Sequence, residues 1–205
     1  MNQLCGLVLA GGRSSRMGFD KGTISYHGKP QRQFIFELLQ RNCQRVYTSC
    51  KRYEDVPPDL NPLPDRYVLD SPLNGILTAF HLASDCGWLS VPVDMPFADV
   101  TVIQYLLNHR DESKTATCFW NEETKSPEPL LTIWEPLSKN LLIDFFERGG
   151  VSPREFLMMH DINAVMPHSA DWLKSINTYL ELEEFKTLHE KHRKPPQTGN
   201  KSASR

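Results

Sequence analysis

The chain has 205 residues, 40% of them apolar and 23% charged, with a formal charge of −2. That length supports one α/β domain with its own core, and that balance excludes a chain drawn as a whole to nucleic acid or to an anionic membrane. No apolar run approaches the roughly 18 residues that span a bilayer, and no signal-peptide pattern opens the sequence, so a cytoplasmic protein is expected.

In chain order, Cys5 to Ala10 is a short apolar run that ends at glycine, the pattern of a buried central strand entering a tight turn. Residues 33–43 place apolar side chains at helical spacing, and 46–50 are rich in strand formers. Residues 54–66 hold four prolines and read as a loop. A short strand is expected over Tyr67-Val68-Leu69, a helix over 75–83, and a buried strand over 88–93 that closes at Asp94-Met95-Pro96. Further strands are expected near 115–120 and 130–134. A helix over 136–147 comes next, stopped by Gly149-Gly150, and Ser152-Pro153-Arg154-Glu155 opens another as N-cap, first-turn proline and capping glutamate. Strands alternating with helices predict a single-domain, Rossmann-like three-layer α/β sandwich with a mostly parallel, mixed sheet over residues 1–187. Residues 188–205 carry five Lys/Arg against one Glu and form a basic tail expected to be disordered.

Chemistry concentrates at the expected strand ends, where ligands of such sheets gather. The first is the run L-A-G-G-R-S-S-R-M-G-F-D-K-G, Leu9 to Gly22. Glycines let backbone amides close on an anion, serines add donors, and Arg13, Arg16 and Lys21 add three positive charges. The loop suits a triphosphate. It matches neither the Walker pattern nor G-x-G-x-x-G. The second is Asp94 at the end of an apolar strand, a lone carboxylate of the kind that shares Mg²⁺ with phosphate oxygens and water. The cysteines, Cys5, Cys43, Cys50, Cys86 and Cys118, are scattered without a C-x-x-C pair and suit reduced, packed thiols. His27, His81, His109, His160 and His168 form no H-x-x-x-H or H-E pair.

The loop resembles the N-terminal signature of the molybdenum cofactor guanylyltransferase (MobA-like) family, within the wider nucleotidyltransferases; the G-x-D-K form, Gly18 to Lys21, leans to the guanylyl side. The resemblance runs from about residue 4 to residue 182 and implies the nucleotidyltransferase fold. It implies backbone contacts to the nucleoside from Leu9, Ala10, Gly11 and Gly12, phosphate contact from Lys21, and help to the leaving pyrophosphate from Arg16. It also implies nucleotide contact by Asp70, in the run V-L-D-S-P-L-N-G, and a metal role for Asp94. Pro72 to Gly75 is expected near the base or ribose, with Asn74 in place of a small residue. Ser49 stands where the family often has asparagine, Tyr179 stands where an N-T-P motif at Asn177 has proline, and Pro127 to Leu130 falls on the pterin side.

The activity implied by the resemblance is Mg²⁺-dependent transfer of GMP from GTP to the terminal phosphate of molybdopterin, with release of pyrophosphate. The acceptor is already an anion, so positioning and charge neutralisation matter more than a strong base. Partners would be GTP, molybdopterin, and other cofactor-biosynthesis proteins or the recipient molybdoenzyme, with no nucleic acid and no membrane. The alternatives are a transferase of the same fold that uses CTP or a sugar phosphate, and a non-catalytic carrier of the cofactor.

Overall fold

A computed structural model describes residues 3–10 and 20–185. The loop residues Gly11, Gly12, Arg13 and Arg16 and the basic tail lie outside the described residues.

Two strands set the frame because every side chain on them is buried: β1, Leu4–Leu9, and β4, Gly87–Pro92. Runs of that kind are covered on both faces, so they take the centre of a sheet. The other strands are β2 (Val46–Cys50), β3 (Pro62–Pro64), β5 (Ala116–Asn121), β6 (Ser126–Trp134) and β7 (Asn163–Val165). The order is β3-β2-β1-β4-β6-β5-β7, and only β6 runs against its neighbours. The mostly parallel, mixed sheet expected from the sequence is thus the one found.

The helices are α1 (Gln31–Gln40), α2 (Leu73–Leu82), α3 (Val100–Asn108), α4 (Ser138–Glu147) and α5 (Pro153–Met159). One core lies under α1 and α3, where Ile35, Leu39, Val102 and Ile103 pack with Val8 and Val91. The other lies under α2, α4 and α5, where Ile76, Phe80, Leu142 and Phe156 pack with Leu7 and Trp88. Alternate residues of β1 thus feed opposite cores, the period of two that a covered strand requires. Gly6 permits close approach: a Cβ there would sit 3.0 Å from Leu39 Cβ on α1. Ser152 accepts a hydrogen bond from Glu155 N as the expected cap of α5. Gly149 stops α4 in the left-handed region at φ 91°.

Two expectations are corrected, and one helix appears where none was expected. Tyr67-Val68-Leu69 is not a strand; its backbone is held by Asn74, whose amide bonds the Tyr67 N–H and both the Tyr67 and Leu69 carbonyls, while Val68 points into solvent. The strand falls instead inside the expected loop, at Pro62-Leu63-Pro64, which pairs only with β2. Prolines are tolerated there because an edge strand leaves one side unpaired. Helix α3 is hidden in the β-branched run V-T-V-I; Asp99 caps it by accepting from Thr101 N and Val102 N at 2.8 and 3.1 Å.

Because β6 is reversed, its amino end lies with the carboxyl ends of the other six strands. Ala10, Asp65, Asp94, Asn121 and Glu128 therefore share one edge of the sheet. The chain leaves β1 toward β2 on one side and returns to β4 on the other, so the β1–β4 boundary is the topological switch where such sheets bind ligands.

Candidate active site

Lys21 opens a single 3₁₀ turn, Lys21–Thr23, just beyond the glycine loop. The turn is braced from both sides. Asp20 Oδ1 accepts from Gly22 N at 2.8 Å, and Asp20 Oδ2 is ion-paired to the Arg32 guanidinium of α1. Arg32 is buried and also donates to the Asp55 carbonyl at 3.2 Å. A Cβ on Gly22 would lie 2.8 Å from that guanidinium, so glycine is what lets Arg32 reach Asp20. The aspartate and second glycine of the D-K-G run thus aim the lysine. Arg32 is a supporting residue that the sequence does not announce, because it sits at the start of an otherwise ordinary helix.

Lys21 Nζ lies 3.4 Å from Asp94 Oδ2 and donates to Asn177 Oδ1 at 2.6 Å. Three segments far apart in sequence meet here, and a small apolar cluster explains why. Ile24 and Tyr26 pack with Ile176, Leu182 and Phe185, with Phe97 against them. Ile176 N then donates to the Asp94 carbonyl at 2.7 Å. Thr178 caps the helical residues 179–185: its hydroxyl accepts from Glu181 N, and the Glu181 carboxylate accepts from Thr178 N and Asn177 N. Tyr179 takes the first helical position, where proline fits but is not required. The Asn-Thr pair therefore keeps its geometry without the proline, and Asn177 joins the lysine and the carboxylate.

Asp94 is short of partners. Oδ2 faces Lys21, while Oδ1 is buried and has no hydrogen-bond partner among the described residues. Burial pushes its pKa above the ordinary carboxylate value, against the pull of the Lys21 charge. An orphaned carboxylate oxygen costs stability unless an occupant meets it. A hard divalent cation suits that oxygen, with phosphate and water completing the shell. Among the described residues no group of three or more His, Cys, Asp or Glu gathers to hold a metal alone.

On the β2–β3 side, a cavity of about 500 Å³ is bordered by Lys51, Asp65, Tyr67, Asp70 and Asn74. Asp70 lies at its exposed rim, 3.8 Å from Lys51. Asp65 is the aspartate that directly succeeds a strand, half-buried, its N–H bonded to the Cys50 carbonyl at 2.8 Å and its pKa pushed up to about 6 by burial. The strand misplaced at 67–69 hides it from the sequence. Ser49 is buried beneath α2, where a Cβ on Gly75 would lie 3.1 Å from Ser49 Cβ and 3.2 Å from Leu9 Cδ2. Leu9 ends β1 and Ala10 comes after it, both facing the switch point.

Glu128 is the second residue to which the sequence assigns no role. It is 5% exposed, and burial pushes its pKa up to about 7, with Asp94 adding to the rise and Arg154 opposing it. The β4–β6 register, Ser90 opposite Thr132, carries Glu128 toward Asp94. A carboxyl group raised on folding costs stability as pH climbs through its unfolded value toward its folded one. Glu128→Gln is therefore expected to be more stable than the parent by about 1–3 kcal/mol at about pH 8. The gap should close as pH falls below the ordinary value of 4.5. Denaturant melts across that range check it; a gap that stays constant with pH would contradict it.

A mostly parallel sheet that brings a braced lysine and a half-partnered carboxylate to its switch point is the frame of a nucleotidyltransferase. The chain belongs to the MobA-like NTP transferase family, whose domain model matches residues 6–157. It is 33% identical over 178 residues to a molybdenum cofactor biosynthesis bifunctional protein of Synechocystis, covering 85% of this chain and 51% of that one, so it spans about half the length of that relative. It is 29% identical over 187 residues to a "probable molybdenum cofactor guanylyltransferase" of Trichormus variabilis, covering 89% and 90% of the two chains. The fold matches the crystal structure of molybdopterin-guanine dinucleotide biosynthesis protein A from Archaeoglobus fulgidus with a TM-score of 0.76 at 18% identity, over 91% of this chain and 99% of that one.

Proposed function

We propose that this protein transfers GMP from GTP to the terminal phosphate of molybdopterin, giving the guanine dinucleotide cofactor and pyrophosphate. The observation that carries the reading is the meeting of Lys21, Asp94 and Asn177 at the β1–β4 switch, with one Asp94 oxygen buried and without a partner among the described residues. The names of the relatives, one in molybdenum cofactor biosynthesis and one a probable molybdenum cofactor guanylyltransferase, support guanylyl transfer in the making of that cofactor.

An acceptor phosphate oxygen attacks the α-phosphorus of GTP. The bond from that phosphorus to the bridging oxygen breaks, and pyrophosphate leaves with the electron pair. Leu9, Ala10 and the glycine loop offer backbone to the nucleoside and phosphates. Lys21, released from Asp94 and Asn177 as the triphosphate enters, sets its charge against the departing pyrophosphate, with Arg16 as a second cation. Asp65 and Asp70 face the β2–β3 cavity, where the sugar and base extend. A divalent cation, Mg²⁺ in this reading, would be held by Asp94 and supplies charge neutralisation on the phosphate oxygens. Among the described residues no helix is long and apolar enough to cross a membrane. A soluble cytoplasmic enzyme drawing on the GTP pool fits the reaction, and a cofactor-biosynthesis partner or recipient molybdoenzyme would take the product.

A thermal-shift panel with Mg²⁺ tests the donor. GTP is expected to raise the melting temperature selectively over CTP, UTP and ATP. Selective stabilisation by CTP would assign a cytidylyl transfer instead. Pyrophosphate release on adding molybdopterin separates the enzyme from a carrier, which would release none.

A further inference from the structure

The β2–β3 cavity lies on one half of the active edge. On the other half, past β4, a second cavity of about 460 Å³ opens, bordered by Trp120, Asn121, Glu128, Arg154, Met166 and Asn177. Its volume is in the range of small-molecule sites. Asn177 belongs to both halves, because its Oδ1 holds the Lys21 ammonium at 2.6 Å. Whatever fills this cavity therefore lies next to the transfer point, on the side away from the nucleotide.

Glu128 is the one deeply buried charged group on the wall. Among the described residues its carboxylate receives a single hydrogen bond, from Leu130 N to Oε1 at 3.0 Å. Arg154 eases its charge across the cavity without forming an ion pair. The chain has kept a buried acceptor with spare capacity where an apolar residue would pack more cheaply, the mark of a site that trades stability for recognition. A carboxylate there repels phosphate, so the ligand's anionic part must point elsewhere. It accepts donors and has two oxygens to do so.

We propose that Glu128 reads the acceptor: its carboxyl group receives the ring N–H and the adjacent amino group of a pterin's aminopyrimidinone edge, and the acceptor's phosphate then reaches past Asn177 to Lys21 and Asp94. This assignment rests on the guanylyl-transfer reading above. Guanine presents the same edge. The pterin is the occupant because, in the guanylyl-transfer reading, the nucleotide takes the cavity over β2 and β3, while this cavity lies across β4 over β5, β6 and β7.

The test uses pteridine fluorescence to measure binding of 6-hydroxymethylpterin, and of lumazine, which has a carbonyl in place of the amino group. Both are titrated into the full chain at saturating GTP and Mg²⁺. The parent should prefer the pterin by about ten-fold or more. Glu128→Ala and the isosteric Glu128→Gln should each lose that preference while keeping the parent's GTP-selective thermal shift. Equal binding of the two pteridines by the parent, binding of neither, or a full preference retained in both variants overturns the proposal. So does loss of GTP-over-ATP selectivity in Glu128→Gln, which would place guanine in this cavity. Absence of any GTP shift in the parent would instead sink the guanylyl-transfer reading, so the two failures are distinct.

Discussion

Asp94→Ala is expected to lower turnover by 100-fold or more, about 2.7 kcal/mol of barrier. The same substitution should not weaken the folded protein. Asp94 is half-buried, with its Oδ1 enclosed and without a partner among the described residues and its pKa held above the usual value, so the folded state carries it at a cost near neutral pH. Removing the carboxylate relieves that cost, and Lys21 keeps its bond to Asn177. Asp94→Asn should behave alike, melting at or above the parent temperature without ligand. Both variants should lose the metal-dependent part of the GTP shift. Steady-state pyrophosphate release together with paired melts checks this. Near-parent turnover in either variant would remove Asp94 from the chemistry, and a large drop in the unliganded melt would make its role structural.

Lys21→Ala is the second large effect, again 100-fold or more on turnover. Its signature differs. With the ammonium gone, Asp94 loses the positive charge that opposes its raised pKa, so the carboxylate is ionised less readily. Turnover of Lys21→Ala should then fall further as pH is lowered, more steeply than in the parent. The double variant with Asp94→Ala should be little worse than the worse single one, because both groups serve the same phosphates. Simple multiplication of the two losses would mean that they act on separate steps. Single-turnover assays across pH make the distinction.

Lys21 and Asp94 are legible in the sequence for a local reason. Each is fixed by a short run whose shape depends on its neighbours: a glycine loop entering a capped turn, and an apolar strand that stops at a carboxylate. The central strands are legible likewise, because complete burial leaves an apolar run in β1 and one broken only by Ser90 in β4. Residues set by distant pairing are not. Glu128 reaches the active edge only because β6 runs backward beside β4, and no motif in P-E-P-L records that direction. Arg32 matters because α1 packs over the turn at Gly22. Asn177 is marked in the sequence by its resemblance to the N-T-P motif alone; what carries it to Lys21 is the packing of Ile176 and Leu182 with Ile24 and Tyr26, a cluster joined across most of the chain. Asp65 and Asp70 show how one misplaced strand shifts attention. Aromatic and β-branched residues at 67–69 promise a strand, yet the backbone there is tied up by Asn74, and the shorter proline-bounded strand delivers Asp65 instead.

The two cavities lie on either side of the Lys21–Asp94 contact, and in the proposed reaction donor and acceptor would approach the α-phosphorus from opposite sides without sharing a subsite. That arrangement favours positioning over acid–base chemistry, as suits an attacking group that is already anionic.

The most direct measurement is the crystal structure of the full chain with GTP and Mg²⁺. Lys21 Nζ is expected on phosphate oxygens rather than on Asp94 and Asn177, the cation on Asp94 Oδ1, and the guanosine over β2 and β3. A nucleotide bound elsewhere, with the Lys21–Asp94 contact intact, would contradict that placement.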